Sequence, residues 1–294
     1  MAYSHVLLGA GDEPARLTVN RIGFTDLKDA LRRGLADFQA MPTHAMFLCA
    51  IYPIVGLLAA RLAFGYSILP LLYPLAAGFA LVGPIAALGL YELSRRREAG
   101  LEASASHALD VVDSSSIGAI IALGLLLLGL FVLWIAFANA IYLANFGYAP
   151  PASIMSFAHD VLTTRAGWNL ILIGNGVGFL FAVTVLAISA ISFPLLLDRD
   201  VGAAVALLTS LRVVQKNPVT MAAWGLIVAA LLLLGSLPAF LGLTIVMPVL
   251  GHATWHLYRK AVTSDDSQPP TPHVHPDKKR FAADFPAVLF PWAR

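Results

Sequence analysis

Apolar positions along this chain come in long blocks separated by short polar segments, the pattern of membrane-crossing helices rather than of strands. The first block is 44–64, which as a helix covers about 31 Å, one hydrocarbon core. A Gly65-Tyr66-Ser67 break follows. The second block, 68–91, contains Pro70, Pro74 and Pro84. Neighbouring helices in a membrane satisfy carbonyls that proline frees, so these prolines predict kinks. Blocks three and four, 117–146 and 166–197, are each about 45 Å long as helices and must tilt or project. Blocks five and six, 219–234 and 237–257, are separated only by Gly235-Ser236. Block five is barely long enough to cross, so a re-entrant hairpin is the alternative there.

The segments between blocks carry a different pattern. Phe24, Leu27, Leu31, Leu35 and Phe38 fall three and four residues apart on one helical face, with Lys28, Arg32 and Arg33 off it. This predicts an amphipathic helix over 24–40, lying on anionic lipids of the cytoplasmic leaflet, with packing on another protein surface as the alternative. Residues 200–216 repeat the pattern and stop at Asn217-Pro218, and 94–112 predict a third helix on that side. Pro150-Pro151 followed by 152–164 predicts a short helix on the opposite side.

Charge sharpens this picture. The chain is 59% hydrophobic and 12% charged, against about 25% charged in soluble domains. The stretches 44–92, 117–197 and 218–256 hold only Arg61, Glu92, Asp160 and Arg165. That segregation excludes a soluble domain, a disordered chain and a nucleic-acid binder. With the N-terminus in the cytoplasm, 17 basic residues lie on that side and two, Arg61 and Arg165, on the other. The bias predicts a multi-pass protein with both termini inside. The single cysteine, Cys49, excludes a disulfide framework.

Two parts of the chain match. Aligning Pro42 with Pro218 pairs G-L-A-D-F-Q-A-M-P with S-L-R-V-V-Q-K-N-P. Aligning Pro84 with Pro248 brings a proline, an aromatic, a leucine and a basic pair into register, and sets Glu92 opposite His256. Both copies begin and end on the cytoplasmic side, which predicts a parallel two-fold repeat about the membrane normal. The expected fold is an all-α six-span bundle over 24–260. Its repeat copies are about 24–97 and 198–260, around central long spans 117–146 and 166–197. It is preceded by a cytoplasmic segment, 1–23, and followed by a proline-rich tail, 261–294.

The motifs F-P-L-L-L-D-R-D-V-G (193–202), Asn217-Pro218 and P-V-L-G-H-A-T-W-H-L-Y-R (248–259) resemble a bacterial family of uncharacterised predicted integral membrane proteins, domain of unknown function 2189. The resemblance extends over roughly 24–260. It implies a six-span protein of the bacterial inner membrane and no particular activity.

Candidate chemistry is sparse. His252 and His256 share a helix face and supply half a metal site or a haem ligand, with Glu92 the nearest repeat-related partner. Further ligands are scarce, and the expectation is a polar helix end with no cofactor. Asp198-Arg199-Asp200 at the end of span four reads as an ion-pair clamp, with Arg95–Arg97 or Arg259 as partners. Gly174-Asn175-Gly176-Val177-Gly178 lacks the lysine and the strand–turn–helix setting of a phosphate loop, and reads as a helix-packing seam. In the tail, Phe285, Leu289, Phe290 and Trp292 follow a proline-rich tether and read as a docking segment.

No catalytic motif is present. The expectation is a non-catalytic accessory or scaffold subunit of a larger membrane complex, respiratory or otherwise energy-transducing. Its partners are anionic lipids and other membrane subunits. The alternative is a channel or transporter for a small solute. Topology is directly testable. With Cys49 replaced by serine and single cysteines at Ser106, Ser153 or Ser267, an impermeant external thiol reagent labels only the Ser153 site. Labelling at Ser106 without Ser153 reverses the orientation.

Overall fold

The computed structural model describes residues 17–41, 69–79, 83–149, 151–238 and 240–264. Span one and the tail residues Phe285, Leu289, Phe290 and Trp292 lie outside them. A strand, β1 (Leu17–Val19), precedes α1 (Phe24–Ala40). Beyond a single turn at Leu69–Leu71 come α2 (Leu72–Phe79), α3 (Gly83–Ala86) and α4 (Leu88–Glu98). A 3-10 segment, Ala105–Asp113, leads to α5 (Ile117–Phe146), α6 (Ile154–Thr163) and α7 (Arg165–Ser189). The chain continues through α8 (Ser192–Asp198), α9 (Ala203–Lys216), α10 (Pro218–Ser236), α11 (Leu243–Ala261) and β2 (Val262–Ser264).

Among the described residues, three stretches are long and apolar enough to cross a membrane: Ile117–Phe146, Arg165–Asp198 and Pro218–Ser236. α11 is not among them, because its second half carries His252, His256, Arg259 and Lys260. The second block is divided into α2, α3 and α4, with Pro74 in the first turn of α2 and Pro84 inside α3. The Trp134 indole on α5 donates to the Pro74 carbonyl at 2.8 Å and ties this broken segment to α5. Block four bends between α7 and α8. Pro194 has no N–H and crowds the carbonyl four residues back, at Ala190. The Ile191 N–H exposed by the bend donates to Ser210 Oγ on α9.

Several expected boundaries move, each for a local reason. α10 continues through Gly235-Ser236 and α11 begins at Leu243; a Cβ on Gly242 would lie 2.8 Å from the Gly235 Cα, so the chain approaches itself closely where glycine leaves room. The expected helix over 94–112 ends at Glu98, because Gly100 is left-handed (φ 69°), and a 3-10 segment replaces the rest. The short helix expected after Pro150-Pro151 forms as α6, with Ser153 Oγ accepting from Ser156 N–H as N-cap.

The face of α1 is the main correction. Its buried stripe is Leu27, Ala30, Gly34 and Asp37, and it packs on α11. Phe24 and Leu35 of the expected lipid-facing stripe are exposed, and Leu31 and Phe38 are half-buried. Small residues decide this. A Cβ on Gly34 would lie 2.6 Å from the Ala253 nitrogen, so the helices touch backbone to backbone.

The segment before α1 is strapped to the far end of the chain. β1 pairs antiparallel with β2, Leu17 opposite Ser264. Asn217 Nδ2 donates to the Asn20 carbonyl, and Asn217 Oδ1 accepts from Ile22 N–H, at 2.9 Å each. The residues that end α1 and α9, Met41 and Asn217, share a backbone conformation (φ −136°, ψ 46° and φ −130°, ψ 52°), and each precedes a proline. This is the local counterpart of the Pro42–Pro218 alignment.

Gly34→Ala is expected to cost about 1–3 kcal/mol by overpacking. Gly174 faces open space, so Gly174→Ala is expected to be neutral or stabilising by about 0.5–1 kcal/mol. Unfolding midpoints of the purified variants in detergent check both.

Candidate functional site: a buried polar layer at the ends of α4 and α11

The last two turns of α4 and of α11 lie side by side, with α1 across α11 and α8 beside both. Helical spacing puts His252 and His256 on one face of α11, and Ser94 and Arg97 on one face of α4. α1 brings Asp37 between them. Asp37 is buried. Its Oδ2 accepts from Ser94 Oγ at 2.6 Å and from His256 Nε2 at 2.8 Å. Its Oδ1 accepts from the Arg97 guanidinium. Ser94 Oγ also lies 2.8 Å from His252 Nδ1. His252 has no exposed surface, and its Nε2 has no hydrogen-bond partner among the described residues.

Two further carboxylates anchor the rest of the layer. Glu92 takes two bonds from Arg95, at 2.7 and 2.8 Å. Arg96 lies 4.0 Å from Glu92 and 3.3 Å from Asp110. Asp198 on α8 accepts from the Tyr258 hydroxyl at 2.7 Å and meets Arg259 at 3.4 Å and Arg199 at 3.6 Å. Arg259 also reaches Glu98, which accepts from the Trp255 indole at 2.8 Å. At the edge, Lys260 bridges Asp26 and Asp29 of α1, at 3.4 and 3.0 Å. The hydrogen bond from Lys260, helped by Arg33 and Arg32, holds the Asp29 carboxyl down at about 2. For Asp37 burial pushes the other way, yet the hydrogen bonds from His256 and Ser94 prevail and hold its carboxyl below the ordinary value.

The expected grouping of His252, His256 and Glu92 does not form. Glu92 turns to its own helix's arginines, and the histidines face Asp37 and Ser94 instead. Of the Asp198-Arg199-Asp200 run, Asp198 meets Arg259. Asp200 makes no ion pair among the described residues. No group of three or more His, Cys, Asp or Glu suited to a metal occurs among the described residues. Asn175 in the glycine-rich run accepts from the Tyr73 hydroxyl of α2 at 2.7 Å, so it links span four to the second block rather than to span three. Of the three glycines in the run, Gly178 alone meets a neighbour, Trp134, to which an added Cβ would lie at 2.9 Å.

Sequence reasoning missed Asp37, Ser94 and Tyr258, and placed Arg97 with the Asp198 run rather than with Asp37. For Asp37 a signal existed, since it continues the Leu27–Ala30–Gly34 stripe at helical spacing. The larger side chains of the neighbouring stripe outweighed it.

Residues 72–198 match a family described as predicted integral membrane protein, domain of unknown function 2189. The match runs from α2 through α8, a shorter stretch than the expected 24–260. Neither a curated protein nor a solved structure matches the chain.

Asp37→Asn is expected to destabilise the protein by about 1–3 kcal/mol at neutral pH, because buried donors lose a charged acceptor. A carboxyl held low in the fold stabilises above its unfolded value, near pH 4, and that contribution is lost as pH falls through the lower folded value. The difference between wild type and D37N in denaturant midpoint is therefore constant near neutrality and shrinks only below about pH 4.

Proposed function

We propose that this chain is a non-catalytic scaffold or accessory subunit of a larger inner-membrane assembly. In this reading it is a six-span bacterial protein with both termini and the helices α1 and α9 on the cytoplasmic side. The two hairpins form a parallel repeat around α5 and the α7–α8 helix. The observation that carries the reading is the polar layer. Asp37, Glu92 and Asp198 are each buried, and Asp37 and Asp198 each bind donors from other helices. The charges thereby fix helix positions at one end of the bundle. Fixed positions suit a part that holds other parts in place.

The outward faces support the same reading. Leu125, Val132 and Phe137 on α5, Leu172, Phe179 and Leu180 on α7, and Leu226 and Leu233 on α10 are exposed. Lipid covers such faces, and so do the helices of neighbouring subunits. The tail residues Phe285, Leu289, Phe290 and Trp292 supply a tethered anchor for a partner, and the exposed Lys28 and Arg32 of α1 meet anionic headgroups.

A second reading, a channel or transporter for a small solute, draws on the divided, proline-containing segment α2–α4 and on Pro248 inside α11. The two separate on purification. The scaffold reading expects specific membrane proteins to co-purify in mild detergent, and removal of residues 281–294 to weaken that association while leaving the bundle inserted. A protein that purifies alone, and moves solutes when reconstituted alone, contradicts it.

A further inference from the structure

The Asp37–Ser94–His252 contacts fix the position of one hydrogen. An ionised carboxylate only accepts. The 2.6 Å contact between Ser94 Oγ and Asp37 Oδ2 therefore requires the serine hydrogen to point at Asp37. Ser94 has one hydrogen, so across its second contact, 2.8 Å to His252 Nδ1, it accepts. Neutral His252 must then carry its hydrogen on Nδ1. The Leu90 carbonyl, another acceptor, also faces this ring. The consequence is a bare lone pair on Nε2, the one buried side-chain polar atom without a partner among the described residues.

With His256 donating to Asp37, one other arrangement satisfies the same contacts with a neutral ring. His252 carries its hydrogen on Nε2, Nδ1 accepts from Ser94, and Ser94 accepts from Asp37 as a carboxylic acid. The two arrangements differ by one bound proton.

We propose that His252, Ser94 and Asp37 form a binding site for a single proton, whose uptake at His252 Nε2 is relayed through Ser94 to Asp37. Hydronium is the donor. The Nε2–H bond forms as the Nδ1–H bond breaks. That hydrogen passes to Ser94 Oγ, and the serine hydrogen passes to Asp37 Oδ2. One proton enters, the carboxylate becomes a carboxylic acid, and the buried ring is neutral before and after, which avoids the cost of an imidazolium away from water. The charged and titratable groups around the site are Asp37 on α1, Arg97 on α4, and His252 and His256 on α11. Arg97 and His256 donate to Asp37 in both states. The proposal stands apart from the scaffold reading, which needs no titrating group.

The test uses the full-length protein in phosphatidylcholine–phosphatidylglycerol vesicles, with isotope-labelled histidine and aspartate, followed by solid-state NMR from mildly alkaline to acid pH. The His252 signals are those lost in H252Q. The expected result is an Nδ1–H ring at alkaline pH that becomes an Nε2–H ring in the same step in which Asp37 gains its proton. In S94A the two changes separate, and in S94T, which keeps the hydroxyl, they stay together. An Nε2–H ring already at alkaline pH overturns the proposal. So does an Nδ1–H ring that persists after Asp37 is protonated, or conversion to an imidazolium. The wild-type titration alone decides if S94A does not fold.

Discussion

A carboxylate removed from water has to be given donors, and in this protein the helices supply them. Asp37 is buried against α11, and the Ser94, Arg97 and His256 side chains that satisfy it come from two other helices. None of the three can move far without leaving a buried charge short of a donor, which is costly. The crossing of α1 over α11 is thereby set in both position and rotation. Gly34 against Ala253 sets the distance, and Asp37 sets the register.

From that crossing the rest of this end of the bundle follows. With α1 seated, Asp26 and Asp29 face Lys260, and the segment before α1 lies where Asn217, Thr220 and Lys216 can hydrogen-bond its backbone. The first strand then reaches the last one, and β1 pairs with β2. Asp198 and Tyr258 tie α8 to α11 in the same layer. Residues at opposite ends of the described chain are held by side-chain bonds at one end of the bundle. The other surfaces of α5, α7 and α10 are left apolar.

The long apolar helices were legible because hydropathy alone specifies them. α1 was legible to the residue at both ends, since a break before Phe24 and Pro42 after Met41 bracket a periodic segment. Its buried face was not. Periodicity ranks large apolar side chains, whereas close helix contact favours Ala30, Gly34 and a well-paired Asp37. The partner of Glu92 was misread for a related reason. Repeat alignment gives equivalent positions, but Arg95 three residues along the same helix reaches Glu92 more directly than His256 does. The strands were illegible because three residues are too few to show alternation.

The central claim is that Asp37 and His256 bind each other energetically, not merely side by side, and a double-mutant cycle of D37N and H256Q measures this directly. Unfolding free energies of wild type, both single variants and the double variant in one detergent give the coupling. The account predicts a coupling of about 0.5–3 kcal/mol, the double variant losing less than the sum of the singles. Additivity within about 0.3–0.5 kcal/mol would contradict it.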